Sequence, residues 1–588
     1  MCGIIGINEK NTQLVKEASS GFSYRGPDAY ADYADSYVTL GHHRLSVIDT
    51  DHRSDQPFWD DKKEISVVYN GEIYNFKKLR SNLSEKYNFR TTSDTEVLVY
   101  AYREWGVKMT EHIQGMFALA LYDSNKKRLF LMRDHRGIKP LYYYAKDGFF
   151  AFASEIKGIT YILRNKGVNL ELNKDAIDLY VTFGYIPSPY TMYKDIHKLP
   201  KASYLEYDLR DNVIVSSGEY NIPYKKITGI GDFQKLLEEK VLAHLAADVP
   251  VGVFFSGGTD SSLIAAILHK HNINLETFSV DINYKTDDAH YFKKISEHLG
   301  IKSHSYSFGI KEFEEVYKEV MDKIDEPTSD NSIFPTYFVS KKASEKVKVV
   351  LSGEGGDEFF YGYPRSLVLN NLNERADYRI SLFDILFFIT PSFTLKNHIF
   401  QKLFVLFKKP VSYYLLHMSP ARDKATLRGW IKAKKEFQKR SLKPLAFDQE
   451  FYLEDDLLRK IDLATSYASI EGRVPLLDID IIKNADYFED EKLAGGVLKA
   501  FLKKVLSQYL PKELVYRSKS GFGVNMATFF KESAYLKSDL LKAIEFLNER
   551  GISVKYMKNT SAFIEKYPNY CFSLVCLYRA ILNNESNI

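Results

Sequence analysis

The sequence predicts two unlike halves: a layered α+β sandwich, followed by an α/β parallel-sheet domain that passes into a helical C-terminal part. Three observations predict this. The first two hundred residues read mostly as short strands parted by turn pairs. Strand–helix alternation begins after about Tyr224. From about Pro364 onward nearly every segment reads as helix, broken at Pro391, Pro410, Pro420, Pro475 and Pro511. The length of 588 residues agrees, because single cores stop growing near ~250–300 residues.

In the first half, strands are expected at Ile65–Tyr69, Ala118–Tyr122, Leu129–Arg133, Leu141–Tyr144 and Phe149–Phe152. Gly26-Pro27, Asn70-Gly71 and Asp147-Gly148 read as tight turns between strands. Helices near Lys77–Lys86 and Thr95–Trp105 interrupt them, the second preceded by capping residues in Thr91–Asp94. The second half opens with helix Asp232–Ala246, strand Val251–Phe255, a glycine-rich loop at Ser256–Asp260 and helix Ser261–Lys270. Strand Leu275–Val280, helix Ala289–Leu299, strand Lys302–Tyr306, helix Asn331–Ser344 and strand Val347–Leu351 follow. The main boundary is expected at residues 210–232, dividing a first domain of residues 1–215 from a second of 225–588.

Hydrophobic residues make up 45% of the chain and charged residues 27%, an ordinary globular balance. With 80 Lys and Arg against 76 Asp and Glu, the net charge of +4 argues against nucleic acid as a main partner. Three cysteines in so long a chain do not make a disulfide framework, which suits a reducing, cytoplasmic setting. Cys571 and Cys576 lie in an apolar helical run and read as buried small hydrophobes. The N-terminus lacks the pattern of a signal peptide. The most apolar segment, Ile380–Leu395, contains Asp384 and Pro391 and is shorter than the ~20 residues a membrane span needs. It reads as buried helix, with a partner-facing or membrane-surface patch as the alternative.

Cys2 becomes the first residue if the initiator Met is removed. Its own α-amino group, with an unperturbed pKa near ~8, can then take the thiol proton and produce a nucleophilic thiolate. Alone this is weak. Arg44, the Asn70-Gly71-Glu72 run and Asp94 follow in order, and their chemistry converges on glutamine. Arg44 can hold an α-carboxylate bidentately. Asp94 and Glu72 can hold an α-ammonium, and the Asn70 amide with the Gly71 N–H can form an oxyanion hole. Each has a bland reading as well, as a hairpin turn, a helix cap or a surface charge.

The strings MCGI, RGPD, NGEIYN and RDHRGIKPLYY (Arg133–Tyr143) resemble the class II glutamine amidotransferases. That resemblance implies an N-terminal-nucleophile fold for the sandwich. It also implies that backbone at Arg44, Leu45, Ser46, Val47 and Ile48 contacts glutamine.

Ser256-Gly-Gly-Thr-Asp-Ser-Ser262 joins a strand to a helix. Its glycines let amides approach a phosphate at a helix N-terminus, and Ser256, Ser261 and Ser262 add hydroxyl donors. Asp260 inside an anion site suits Mg²⁺ that bridges to phosphates. The loop is not a Walker A loop, and it resembles the pyrophosphate loop of ATP pyrophosphatases. Ser352-Gly-Glu-Gly-Gly-Asp-Glu358 follows a predicted parallel strand, the end at which open α/β sheets bind ligands.

Both loops after a Cys2 domain resemble glutamine-hydrolysing asparagine synthetase. DEPTSDNSIFPTY (Asp325–Tyr337), SIEGRVPLLD (Ser469–Asp478), LKAFLKK around Lys499 and YRSKSGFGV (Tyr516–Val524) extend the resemblance over nearly the whole chain. It implies ATP and Mg²⁺ as cofactors, with Ser256, Gly257, Gly258, Asp260 and Ser261 on the pyrophosphate. It places Phe255 and Val280 at the adenine and Ser352 and Gly353 on the nucleotide. Asp260 and Asp357 become Mg²⁺–pyrophosphate ligands. Glu354 is needed to form and aminate an acyl-adenylate, and Lys499 stabilises its transition state. It also implies a homodimer.

Thr259 departs from the usual Leu, Tyr361 stands where Gly is usual, Asn525 stands where Pro is common, and Ile380–Lys443 matches none of these strings. The leading expectation is amidation of aspartate through an aspartyl-AMP. Its rival keeps the chemistry on another carboxylate, such as a sugar acid of surface polysaccharide. A scaffold on an inherited fold should have lost pieces of the site, yet Cys2, Arg44, Asn70, Asp94, Asp260, Glu354 and Lys499 are all present.

Overall fold

The structure is a computed structural model that describes residues 1–273, 275–282, 287–372, 376–390, 396–420, 426–440, 442–516, 523–552 and 559–586, the side chains of 287–290 excepted. The N-terminal strands are β1 (Gly3–Ile7), β2 (Ala29–Ala34), β3 (Thr39–Arg44), β4 (Phe58–Trp59), β5 (Ile65–Ile73), β6 (Gly115–Asp123), β7 (Arg128–Arg133), β8 (Tyr142–Lys146), β9 (Phe149–Ala153), β10 (Ile196–Lys198), β11 (Ser203–Asp208) and β12 (Val213–Glu219). They form two six-stranded antiparallel sheets, ordered β10-β8-β9-β1-β3-β2 and β12-β11-β7-β6-β5-β4.

Strand β6 explains the layering. Every residue in it is buried, and its side chains alternate between two cores. Ala118, Ala120 and Tyr122 enter the layer between the sheets, with Ile4, Leu40, Val68 and Phe152. Phe117, Leu119 and Leu121 face the other way and pack with Val97 and Leu98 of helix Asp94–Trp105. On the opposite sheet, Ile5 and Ile7 pack with Val15 of helix Thr12–Ser20 and Ile159 of helix Ile156–Asn165. The result is helix, sheet, sheet, helix.

The turn expected at Asp147-Gly148 joins β8 to β9, both residues having positive φ (53° and 75°) as a two-residue hairpin requires. Asn70-Gly71 is not a turn. Strand β5 continues through it to Ile73, in register with β6 at Asn70↔Ala118 and Gly71↔Phe117. Gly71 serves the close approach of the two strands, since a Cβ there would lie 2.1 Å from the Met116 carbonyl oxygen.

After β12 the pattern changes to a parallel sheet of β13 (Val251–Phe254), β14 (Glu276–Ile282), β15 (Ser303–Phe308), β16 (Val349–Leu351) and β17 (Glu471–Arg473), ordered β15-β14-β13-β16-β17. The sequence predicts the first four and takes β17 for part of the helical region. Three residues with Glu and Arg at their ends carry no hydrophobic period, and only pairing with Val349–Leu351 makes them a strand. Because β13 pairs with β14 on one side and β16 on the other, the loops after β13 and β16 meet at a topological switch point.

The segment expected as buried helix is helix Leu382–Ile389, and only one face is covered. Phe387 is fully buried while Leu382 and Ile389 stand out in solvent. Residues 391–395 lie outside the described residues. Cys571 and Cys576 are buried in helix Pro568–Glu585. No described helix is long and apolar enough to cross a membrane.

Candidate active sites

Two sites lie in the two halves, and each is built from the strand ends just described. At the first, β1 starts beside β5. The Cys2 N–H donates to Asn70 Oδ1 at 3.1 Å, and the Cys2 thiol lies 3.9 Å from the Leu45 carbonyl oxygen. Burial pushes the Cys2 thiol above its ordinary pKa. Asn70 is completely buried, and its Nδ2 meets no acceptor among the described residues. A buried donor without a partner is costly, so Asn70 Nδ2 is a ready hydrogen bond for a developing oxyanion.

Leu45, Ser46, Val47 and Ile48 form a buried loop after β3. The Ser46 N–H donates to Asp28 Oδ2 at 2.8 Å, and the Asp248 N–H donates to the Val47 carbonyl at 2.9 Å. Asp94 caps the far wall, accepting from the Tyr69 hydroxyl at 2.8 Å and the Ile73 N–H at 3.1 Å. Burial raises the pKa of the Asp94 carboxyl. Burial, followed by the neighbouring charge of Asp94, pushes Glu72 well above the usual carboxylate range. Two buried carboxyls so raised form a site that favours an incoming cation.

Two residues sit differently from their sequence expectation. Arg44 is engaged by protein rather than open to substrate, since Nη1 donates to Asp55 Oδ1 at 2.6 Å and to the Asp51 carbonyl at 2.8 Å. Its Nη2 donates to the Ile48 and Asp49 carbonyls. The carboxylate the sequence assigns to Arg44 is therefore supplied here by Asp55. Glu72 is tied to Arg473 at 2.7 Å, a partner from the other half of the chain.

Arg25 in RGPD does more than mark a turn. Its Nε donates to the Cys2 carbonyl at 3.2 Å, while Nη1 pairs with Glu155 at 2.9 Å and Nη2 with Asp462 at 2.8 Å. Asp134 in RDHRGIKP accepts from the N–H groups of Phe117, Ile138 and Lys139, and Arg133 pairs with Glu454 at 2.9 Å. The strings near Cys2 thus grip the second half of the chain. The local sequence signals only that they are polar and clustered, not whom they pair with.

The second site lies where the loops after β13 and β16 touch. Gly257 has φ +71°, and a Cβ there would lie 3.0 Å from the Phe292 backbone. Ser261 Oγ lies 3.3 Å from Ser256 Oγ, the Gly258 N–H donates to Ser256 Oγ at 3.3 Å, and the Ser262 N–H donates to the Gly258 carbonyl at 2.9 Å as helix Thr259–Lys270 begins. Glycines of the second loop make room for Asp260. A Cβ would lie 2.8 Å from Asp260 Cβ at Gly353 and 2.4 Å from Asp260 Cγ at Gly356.

Lys499 enters between the two acids. Its ammonium pairs with Asp260 and, at 2.7 Å, with Asp357. Burial opposes its charge, and the two carboxylates overcome that and raise its pKa above the ordinary lysine value. Ser352 Oγ donates to Glu354, whose other oxygen lies 3.6 Å from Lys460 Nζ. Lys460 is a member of this site that the sequence does not announce. Burial works against its charge, and Asp330, Glu354 and Asp456 hold its pKa above the usual lysine value. Val280 is half-buried on β14, whereas Phe255 is buried against Phe292 at 5.2 Å between ring centroids.

Two family departures acquire physical readings. Tyr361 has φ +58°, a conformation that favours glycine, and its hydroxyl is held by Glu489. Asn525 caps helix Met526–Glu532, accepting from the Ala527 N–H at 3.1 Å. Residues 517–522 of the YRSKSGFGV string lie outside the described residues.

Asp260 and Asp357 fit a magnesium ion shared with phosphates, which takes one or two carboxylates rather than a full protein cage. The cation they hold here is the Lys499 ammonium. Among the described residues no group of three or more His, Cys, Asp or Glu could hold a metal by itself.

Comparison with known proteins finds a separate family for each half. The glutamine amidotransferase domain family matches residues 1–218. The asparagine synthase family matches residues 232–553, more than half of the chain. Asparagine synthetase (glutamine-hydrolysing) 1 of Bacillus subtilis is 29% identical over 565 residues, covering 90% of this chain and 88% of that protein. Asparagine synthetase B (glutamine-hydrolysing) of Escherichia coli is 32% identical over 390 residues, covering 62% of this chain and 65% of that one. The chain belongs to the asparagine synthase family, with a glutamine amidotransferase domain ahead of the synthase domain.

Proposed function

We propose that this protein makes asparagine, amidating aspartate with ammonia from glutamine at the expense of ATP. The observation that carries the reading is Arg473, whose side chain pairs with Glu72, two residues along β5 from the Asn70 that accepts the Cys2 N–H, while its carbonyl accepts from the Ser352 N–H at 2.8 Å in the synthetase loop. One residue touches both chemistries.

In this reading residues 1–215 are the glutaminase. Removal of Met1 frees the Cys2 nitrogen, which already lies 3.1 Å from Asn70 Oδ1. The amine takes the thiol proton, and the thiolate attacks the glutamine side-chain carbonyl. Asn70 Nδ2 and the Gly71 N–H stabilise the oxyanion. Ammonia leaves as the thioester forms, and water then releases glutamate. Asp94 and Glu72 hold the α-ammonium, and Arg44 takes the α-carboxylate as Asp55 yields it, with backbone at Leu45–Ile48 lining the slot.

Residues 225–588 are the synthetase. The Ser256–Ser262 loop, with Ser352 and Gly353, cradles the phosphates, and Val280 faces the adenine with Phe255 behind it. Asp260 and Asp357 would hold Mg²⁺, which neutralises phosphate charge when bound. Glu354 is the base required when ammonia attacks the aspartyl-AMP, and Lys499 stabilises charge in that transition state.

The test is pyrophosphate release with ATP, Mg²⁺ and glutamine, with and without aspartate, followed by mass analysis of the product. Aspartate-dependent release with asparagine formed supports the reading. Glutamine hydrolysis that aspartate leaves unstimulated moves the acceptor to another carboxylate, sugar acids first.

A further inference from the structure

Residues 378–443 carry fourteen Lys and Arg against three Asp and Glu, in a chain whose 80 basic and 76 acidic residues nearly cancel. At the start of this stretch, helix Leu382–Ile389 and helix Lys396–Leu406 lie antiparallel. Phe383 stacks on Phe407 at 4.1 Å, while Phe387 meets Phe400 at 5.2 Å.

The inner faces close on Phe387, Phe400, Phe404 and Trp430, all buried. The outer faces stay bare. Leu382, Ile385, Leu386 and Ile389 follow the spacing of one helical stripe, and Leu382 and Ile389 are 67% and 69% exposed. On the second helix Ile399, Lys402, Val405 and Leu406 share the exposed side, Leu406 at 72%. Soluble monomers seldom leave so much contiguous apolar surface open without a use.

The charge on this face has one sign for a structural reason. The one acid between Tyr378 and Pro420 is Asp384, and it is fully buried. It accepts from Ser412 Oγ at 2.7 Å and Trp430 Nε1 at 3.0 Å, and pairs with Lys434 at 3.0 Å. With that carboxylate consumed inside, apolar side chains and lysines such as Lys402 and Lys408 are what the outside offers.

We propose that this helical pair docks the enzyme on an anionic lipid surface. The Leu382–Ile389 stripe and Leu406 enter the headgroup–acyl boundary, and the lysines lie over the headgroups. No spanning helix is needed. A second copy of the chain is a poor occupant, because pairing the face with itself would bring like charges together.

The experiment is flotation of the full-length protein with vesicles of phosphatidylcholine alone and with about 30% phosphatidylglycerol. At least about tenfold more protein floats with the anionic vesicles, and about 1 M salt weakens this by screening the lysines. Leu386→Ser with Leu406→Ser, and separately Lys402→Glu with Lys408→Glu, each cut flotation by about tenfold or more. Both variants keep wild-type pyrophosphate release. Absence of anionic-vesicle binding overturns the proposal, as does binding that both double variants retain. Light scattering that shows the leucine variant turning a dimer into a monomer assigns the face to self-association instead. Capture by polyglutamate without vesicle binding assigns it to an acidic protein, and either result overturns the lipid proposal.

Discussion

Arg473 Nη2 donates to Glu72 Oε2 at 2.7 Å across 401 residues of chain. Arg473 is fully buried, pairs with Glu471 at 2.8 Å and donates to the His244 and Ala246 carbonyls. Arg473→Met leaves two buried carboxylates without their counter-ion, a loss of about 3–5 kcal/mol. The first thermal transition therefore moves down. If Arg473 also couples the sites, less amide product forms for each glutamine hydrolysed. An unchanged product ratio in a destabilised enzyme would reduce Arg473 to a structural tie.

Asn70→Asp separates two duties of one side chain. The remaining oxygen still accepts the Cys2 N–H, and the donor Nδ2 is gone. Glutaminase kcat falls by about 10²–10³, the effect of removing one oxyanion donor. Ammonia-dependent synthesis stays near wild type, as it does in Cys2→Ala, where glutamine use is abolished. Steady-state assays with each nitrogen source check this, and loss of both activities together would refute the division between halves.

Lys499→Met leaves Asp260 and Asp357 facing one another beside the phosphate loop. Pyrophosphate release falls by at least about 10²-fold, equivalent to about 3 kcal/mol of barrier. Glutamine hydrolysis by the same variant stays within about twofold of wild type, since among the described residues Lys499 pairs with Asp260 and Asp357 and with no group of that site.

Acid should release the Arg25 knot only after most surface pairs, because its Glu155 carboxylate keeps its charge to lower pH. Burial works against the Glu155 charge, and Lys157 and Arg25 overcome it, holding the carboxyl down at about 2. A depressed folded pKa contributes stability that is present above the unfolded value near ~4.3. That stability, about 3 kcal/mol, is lost as pH falls from there towards about 2. Thermal midpoints measured across this range decline less steeply in Glu155→Gln, which is already weaker at neutral pH. Parallel curves for the two proteins would remove Glu155 from the account.

Much of the candidate machinery was legible because its signals are local. The Ser256–Ser262 loop needs glycines at a strand–helix junction, and the positive φ of Gly257 beside Phe292 shows why. Reading helix Leu382–Ile389 as buried misses its bare outer face for a related reason. A run of apolar residues reports a helix and its hydrophobicity but not what lies opposite. Asn70-Gly71 reads as a turn in isolation, and only β6 alongside makes it strand.

By itself the sequence determined the order of motifs along the chain: a cysteine at position 2, then the amide and acids that suit glutamine, then a glycine-rich loop that suits phosphate and a second that is rich in acids. Only the tertiary structure decided how they are joined. Arg25 reaches Asp462, Arg133 reaches Glu454, and Arg473 reaches Glu72. Buried charges select partners by geometry and desolvation rather than by sequence distance, so no local pattern could name those pairs. The same physics hides Asp384 with Lys434 and leaves Lys402 in water.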